Sequence, residues 1–156
     1  DGAVALVDGN VVMACMFGKN SIDKGLTAGK MLMTTKEATA AGITSFDITS
    51  VTDKFLKENP EMVRTFLEVT AEANATWETG KSDINIIAKD SGMTVEKTKN
   101  QMSGFRFPTP AEQKKFWMNK GGKVENMLNF MGKMFATAEN PALKNYYKTM
   151  NASFLP

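Results

Sequence analysis

Histidine is absent from this chain, and cysteine occurs once, at Cys15. Without imidazole no Ser-His or Cys-His nucleophile pair can be assembled, and the commonest near-neutral general base and metal ligand are both missing. A lone cysteine excludes an internal disulfide, and its place inside an apolar run predicts a buried, inert thiol. Phosphate loops, cysteine-based metal motifs, internal repeats and low-complexity tracts are lacking as well. The reading is therefore a protein that is not an enzyme, with no metal and no cofactor. An enzyme of this sequence would have to work through carboxylates.

An excess of either charge is also missing. Nineteen Lys and Arg stand against 17 Asp and Glu, a formal net charge of +2, and the charges are interspersed along the chain. That leaves no electrostatic footprint for nucleic acid, so no nucleic-acid partner is expected. No apolar run approaches the length of a transmembrane helix. The opening residues, Asp1 to Asp8, lack an initiating Met, a positively charged start and a signal-peptide core. They read as the tail of a helix, and the N-terminal edge reads as a break in a longer polypeptide.

What is present is 156 residues that are 42% hydrophobic, the size and apolar content of one globular domain. The densest apolar stretch is Val11-Val-Met-Ala-Cys-Met-Phe17, bounded by Asp8-Gly9-Asn10 and Gly18. Such a run, without alternation and too short for a normal helix, predicts a strand buried on both faces in a parallel sheet. In open α/β sheets ligands sit beyond the carboxyl ends of strands, which makes Phe17, Gly18, Lys19 and Asn20 the first candidate site.

An α/β rhythm follows: a short helix over 21–28 capped by Asn20 or Ser21, a strand over 30–33 and a helix over 35–41. Ile43 to Val51 is rich in β-branched residues and predicts a strand with Phe46, Ile48 and Val51 inside and Asp47 placed mid-strand. From Thr52 onward Gly, Pro and capping residues punctuate helices. Asn59-Pro60-Glu61 opens one that runs to Gly80 with Met62, Val63, Phe66, Leu67, Thr70, Ala73 and Trp77 at helical spacing. Further helices are expected over 82–90 and from the Thr94 cap to Met102. Thr109-Pro110-Ala111-Glu112 is a capping box opening a helix to about Asn119. Val124, Met127, Leu128, Met131, Met134 and Phe135 form the stripe of the next helix, to about Ala138, and 143–150 makes a last short one.

The succession Gly9-Asn-Val-Val-Met-Ala-Cys-Met-Phe17, Ala28-Gly-Lys30, Ser45-Phe-Asp-Ile-Thr-Ser-Val-Thr-Asp-Lys-Phe55, Asn59-Pro-Glu-Met-Val-Arg-Thr-Phe-Leu67, Ser91-Gly92 and Phe107-Pro-Thr109 resembles the C-terminal half of a periplasmic substrate-binding protein. More narrowly it is similar to the taurine, alkanesulfonate and nitrate type of ABC importer component. The resemblance covers essentially the whole chain and rests on the order and spacing of its motifs. It implies an α/β fold, part of a two-lobe type II (Venus flytrap) periplasmic-binding architecture with a helix-rich C-terminal portion. Residues 1–45 would end the second lobe, 46–156 would hold a hinge crossing and the later helices of the first, and the N-terminal half would be absent from this chain. It further implies a periplasmic or lipid-anchored location outside the inner membrane. The implied partners are the membrane permease, the missing half of the same protein, and a small ligand of the amino-sulfonate, sulfonate or nitrate class.

The family's ligand contacts, an aromatic residue at the end of the first strand and an acid in the later one, fall on Phe17 and Asp47. Gly18-Lys19-Asn20 stands where the family often carries an acid and a proline. Lys19 and Asn20 offer donors suited to an oxyanion and Asp47 suits an ammonium group, so the ligand-binding set is Phe17, Gly18, Lys19, Asn20 and Asp47, and taurine fits it better than nitrate. Two other readings stand beside this one: a pyrimidine-precursor binding or converting protein of the same fold, and a helical interaction module using the Met-rich stripe. With only about three strand candidates, fewer than a typical sheet, the chain is also expected to associate with other polypeptide.

Overall fold

The computed structural model describes residues 1–43 and 45–156. It is 54% helical, and no strand or sheet occurs among the described residues. The expected α/β fold, with its type II periplasmic-binding architecture, is thereby overturned. A helix closes its hydrogen bonds within itself, whereas a strand exists only as one side of a ladder. The three expected strands find no ladder here. Val11–Phe17 and 30–33 are irregular, and so are the described residues of 43–51, a stretch that includes Thr44, outside the described residues.

Each helix that does form has a local cause. α1 (Gly2–Val7) is capped by the Asp1 carboxylate, which accepts from the Ala3 N–H, and α2 (Lys19–Gly25) starts from Gly18 rather than from Asn20 or Ser21. α3 (Thr35–Ala40) is preceded by a reciprocal cap: Glu37 N–H donates to the Thr34 hydroxyl while the Thr34 N–H and hydroxyl donate to Glu37 Oε2. Those bonds, the hydroxyl first, hold the Glu37 carboxyl below its usual range. α4 (Asp53–Glu58), not anticipated from the sequence, is capped by Thr52. α5 (Pro60–Glu78) follows at once, with proline at its start as expected.

α6 (Ile84–Ser91) is capped by Asp83 and ends at Gly92, whose φ of 66° lets the Met93 N–H reach back to the Ala88 carbonyl at 3.0 Å. α7 (Val95–Met102) takes the expected Thr94 cap. The capping box at Thr109 and Glu112 forms as predicted, but α8 (Pro110–Glu112) passes directly into a π-helical turn, Gln113–Trp117, instead of running on as α-helix to Asn119. α9 (Lys123–Met134) stops with Phe135 at its C-cap, and the last expected helix is a 3₁₀ turn, Tyr146–Thr149.

These elements fall into two units, residues 1–37 with 81–106 and residues 38–80 with 107–156. In the first, α2 packs on α1 and on α7, and α7 on α6. Its buried residues are small: Ala3, Gly25, Ala88 and Thr98. In the second, α4 packs on α5, and α9 on both the π turn and the 3₁₀ turn. Val63, Gly122 and Val124 are buried there, and Phe46 meets Trp117 edge to face at 5.6 Å between ring centroids. Ile48 and Val51, expected inside, are exposed, and so is Cys15, expected to be buried. No ladder holds their segments against a second layer.

The chain exposes 11714 Å². Two compact bodies of these sizes sharing no surface would expose about 9,300 Å² in all.

Candidate functional site

Three of the five residues singled out from the sequence, Gly18, Lys19 and Asn20, lie at the start of α2, where it meets α7. Gly18 has φ 79° and ψ 145°, a conformation that side chains disfavour, and the amide of Gln101 lies where its Cβ would be. Gln101 Oε1 accepts from the Asn20 N–H at 3.1 Å, so an α7 side chain serves one of the amides left open at the α2 N-terminus. The Asn20 side chain donates to the Lys97 carbonyl at 3.0 Å and touches the Met93 sulfur at 3.9 Å. Asn100 Nδ2 donates to Asn20 Oδ1 and to Asp23 Oδ2, each at 2.8 Å. Lys19 Nζ closes the node on both oxygens of Asp23, at 3.0 and 2.9 Å.

The carboxyl of Asp23 is held below its usual range, first by the Asn100 amide and then by the Lys19 ammonium, because both stabilise the anion. The node is thus a cross-link between two helices in which the anion for Lys19 comes from its own helix. A shallow open depression beside it is lined by Asn20, Thr94, Glu96, Lys97, Lys99 and Asn100. Among the described residues no group of three or more His, Cys, Asp or Glu lies together as a metal site requires.

Phe17, immediately before the node, is 78% exposed. Asp47 belongs to the other unit and is exposed. The residues that sequence reasoning missed are Asp23, Asn100 and Gln101. Asp23 carried a readable signal, its i,i+4 spacing from Lys19. Nothing in the sequence linked Asn20 to residues eighty positions away.

The second unit presents a different feature. On α9, Val124 is buried, and Gly132 is covered by the ring of Tyr146, which lies where a Cβ would be. The adjoining side of the same helix carries Phe130, Met131 and Met134, with Phe135 at its end, all between 44 and 68% exposed. A similar stripe on α5, Met62, Phe66 and Val69, at i, i+4 and i+7, is exposed beside the buried Val63. Among the described residues no helix is long and apolar enough to cross a membrane.

No protein-family model, no curated protein and no solved structure matches this chain.

Proposed function

We propose that this chain is a helical interaction module whose α9 stripe receives an amphipathic helix of another protein. The observation that carries the reading is the uncovered row Phe130, Met131, Met134 and Phe135. Flexible, polarisable methionines beside aromatic rings suit a groove that repacks around an incoming helix. The charge balance around it suggests the partner's chemistry: over residues 110–135 the chain carries Lys114, Lys115, Lys120, Lys123 and Lys133 against Glu112 and Glu125. A helix with acidic residues flanking its apolar face complements that charge, whereas a second α9 would bring the same sign.

The test uses a fluorescein-labelled model peptide, a helix with leucine on one face and glutamate along both flanks, in an anisotropy titration against the full chain. Saturable binding is expected, weakened about tenfold by Met134→Lys, which is roughly 1.4 kcal/mol. No binding, equal binding by the variant, or equal binding of a lysine-flanked peptide overturns the reading.

A second reading keeps a small sulfonate as ligand. It draws on the sequence resemblance and on the lysines, Lys97 and Lys99, at the depression beside Asn20. Calorimetric titration of taurine into the chain and into Lys97→Met tests it, and a flat titration of the unmodified chain excludes it.

A further inference from the structure

The pattern that N-glycosylation requires, Asn-x-Ser/Thr with no proline in the middle, occurs at Asn74-Ala75-Thr76 and at Asn151-Ala152-Ser153. The fold treats the two in opposite ways. A transferase has to seat the asparagine amide together with the hydroxyl two residues on, so both side chains must be exposed on backbone that no helix ladder holds.

Asn74 lies inside α5, where residues two apart do not face each other. Asn74 and Thr76 are both half-buried, and the Thr76 hydroxyl donates to the Glu72 carbonyl at 2.7 Å, one turn back along the helix. The hydroxyl is thus engaged by the helix backbone and not by the asparagine.

Asn151 lies outside any helix, between the 3₁₀ turn Tyr146–Thr149 and a turn in which the Leu155 N–H donates to the Ala152 carbonyl at 3.3 Å. Asn151 and Ser153 are both exposed. Asn151 Oδ1 accepts from the Ser153 N–H at 2.9 Å and from the Ser153 hydroxyl at 2.7 Å, so the turn itself brings the amide and the hydroxyl of the pattern together. Both bonds fall on the oxygen. Nδ2, the atom to which a sugar attaches, donates to no group among the described residues. The residues that follow are anchored within the same unit: the Arg64 guanidinium lies 5.1 Å from the centre of the Phe154 ring, and Lys114 donates to the Pro156 carbonyl at 3.1 Å. The turn is therefore held in place with its nitrogen open.

We infer that Asn151 is an acceptor for N-linked glycosylation and that Asn74 is not. The donor is of one chemical class, a glycan joined through its anomeric carbon to a polyprenyl diphosphate. In the transfer a bond forms between Asn151 Nδ2 and that carbon while the bond from the carbon to the diphosphate oxygen breaks. The electron pair of the broken bond leaves with the diphosphate, and one Nδ2 proton passes to a base of the transferase. Nothing is oxidised or reduced. The site rests on the turn at 151–153 and does not depend on the α9 stripe.

The test incubates the folded full chain with a purified oligosaccharyltransferase that requires only Asn-x-Ser/Thr and with a polyprenyl-diphosphate-linked glycan, and reads intact mass. An unstructured Asn-Ala-Thr peptide in the same tube reports that the transferase is active. The chain should gain the mass of one glycan. That gain should persist in Asn74→Gln and Ser153→Thr and be lost in Asn151→Gln and Ser153→Ala, with an unchanged far-UV spectrum verifying that the helices remain. A chain that gains no glycan while the peptide does, a gain of two, or a gain that survives Asn151→Gln overturns the inference. So does one that survives Ser153→Ala, because the hydroxyl would then play no part.

Discussion

The side-chain amide of Gln101 occupies the space beside Gly18 that any Cβ would need, while its oxygen accepts from the next N–H but one, that of Asn20. Gly18 is therefore required twice, once by its backbone and once by its neighbour. Gly18→Ala should lower stability by roughly 1–3 kcal/mol for the backbone conformation alone. Urea denaturation checks this. In a Gln101→Gly background the steric part disappears and the backbone part persists, so the cost of Gly18→Ala should be smaller there without vanishing.

The Asn100 amide bonds link α7 to α2 through Asn20 and Asp23. Asn100→Ala removes both and should lower the urea denaturation midpoint, because the two helices then lose this link. The pH dependence has a definite sign. Asp23 has a depressed pKa in the folded chain, so the stability it contributes is present above the ordinary aspartate value of about 3.9 and is lost as pH falls below it towards the folded value. Denaturation midpoints measured from about pH 6 downward should fall less steeply for Asn100→Ala than for the unmodified chain. Parallel curves would show that Asn100 does not hold the carboxylate.

Gly132 lies in the last turns of α9, where alanine normally gains about 1 kcal/mol over glycine. Here the Tyr146 ring lies in the way, and its hydroxyl also accepts from the Leu143 N–H at 3.2 Å. Gly132→Ala should therefore displace Tyr146 and lose the near-ultraviolet signal of the ring with no gain in stability. With Tyr146→Ala already present, the same substitution should become stabilising. That change of sign, read by thermal denaturation, is the check.

What the sequence by itself determined was local. The starts of α7 and α8, the stop at Gly92 and the capping box at Thr109 and Glu112 were legible, because a cap bonds to an amide two or three residues away and a helix completes its ladder within itself, and the start of α5 was legible from Pro60, whose fixed φ suits the first helical position, although Asn59 makes no side-chain cap bond there. Lys19 and Asn20 were legible as donors by residue type, and Asp23 by its spacing from Lys19. Tertiary structure decided everything that needs a distant partner. It withheld the ladder from Val11–Phe17 and from the described residues of 43–51, leaving Cys15 and Ile48 exposed, and it set Phe46 against Trp117. It also set Asn100 and Gln101 against α2, so that the donors of Lys19 and Asn20 are engaged within their own unit. An apolar run states how much surface has to be covered, but what covers it lies elsewhere in the fold: a strand's hydrogen bonds and the packing of a helix face are both completed by atoms remote in the chain.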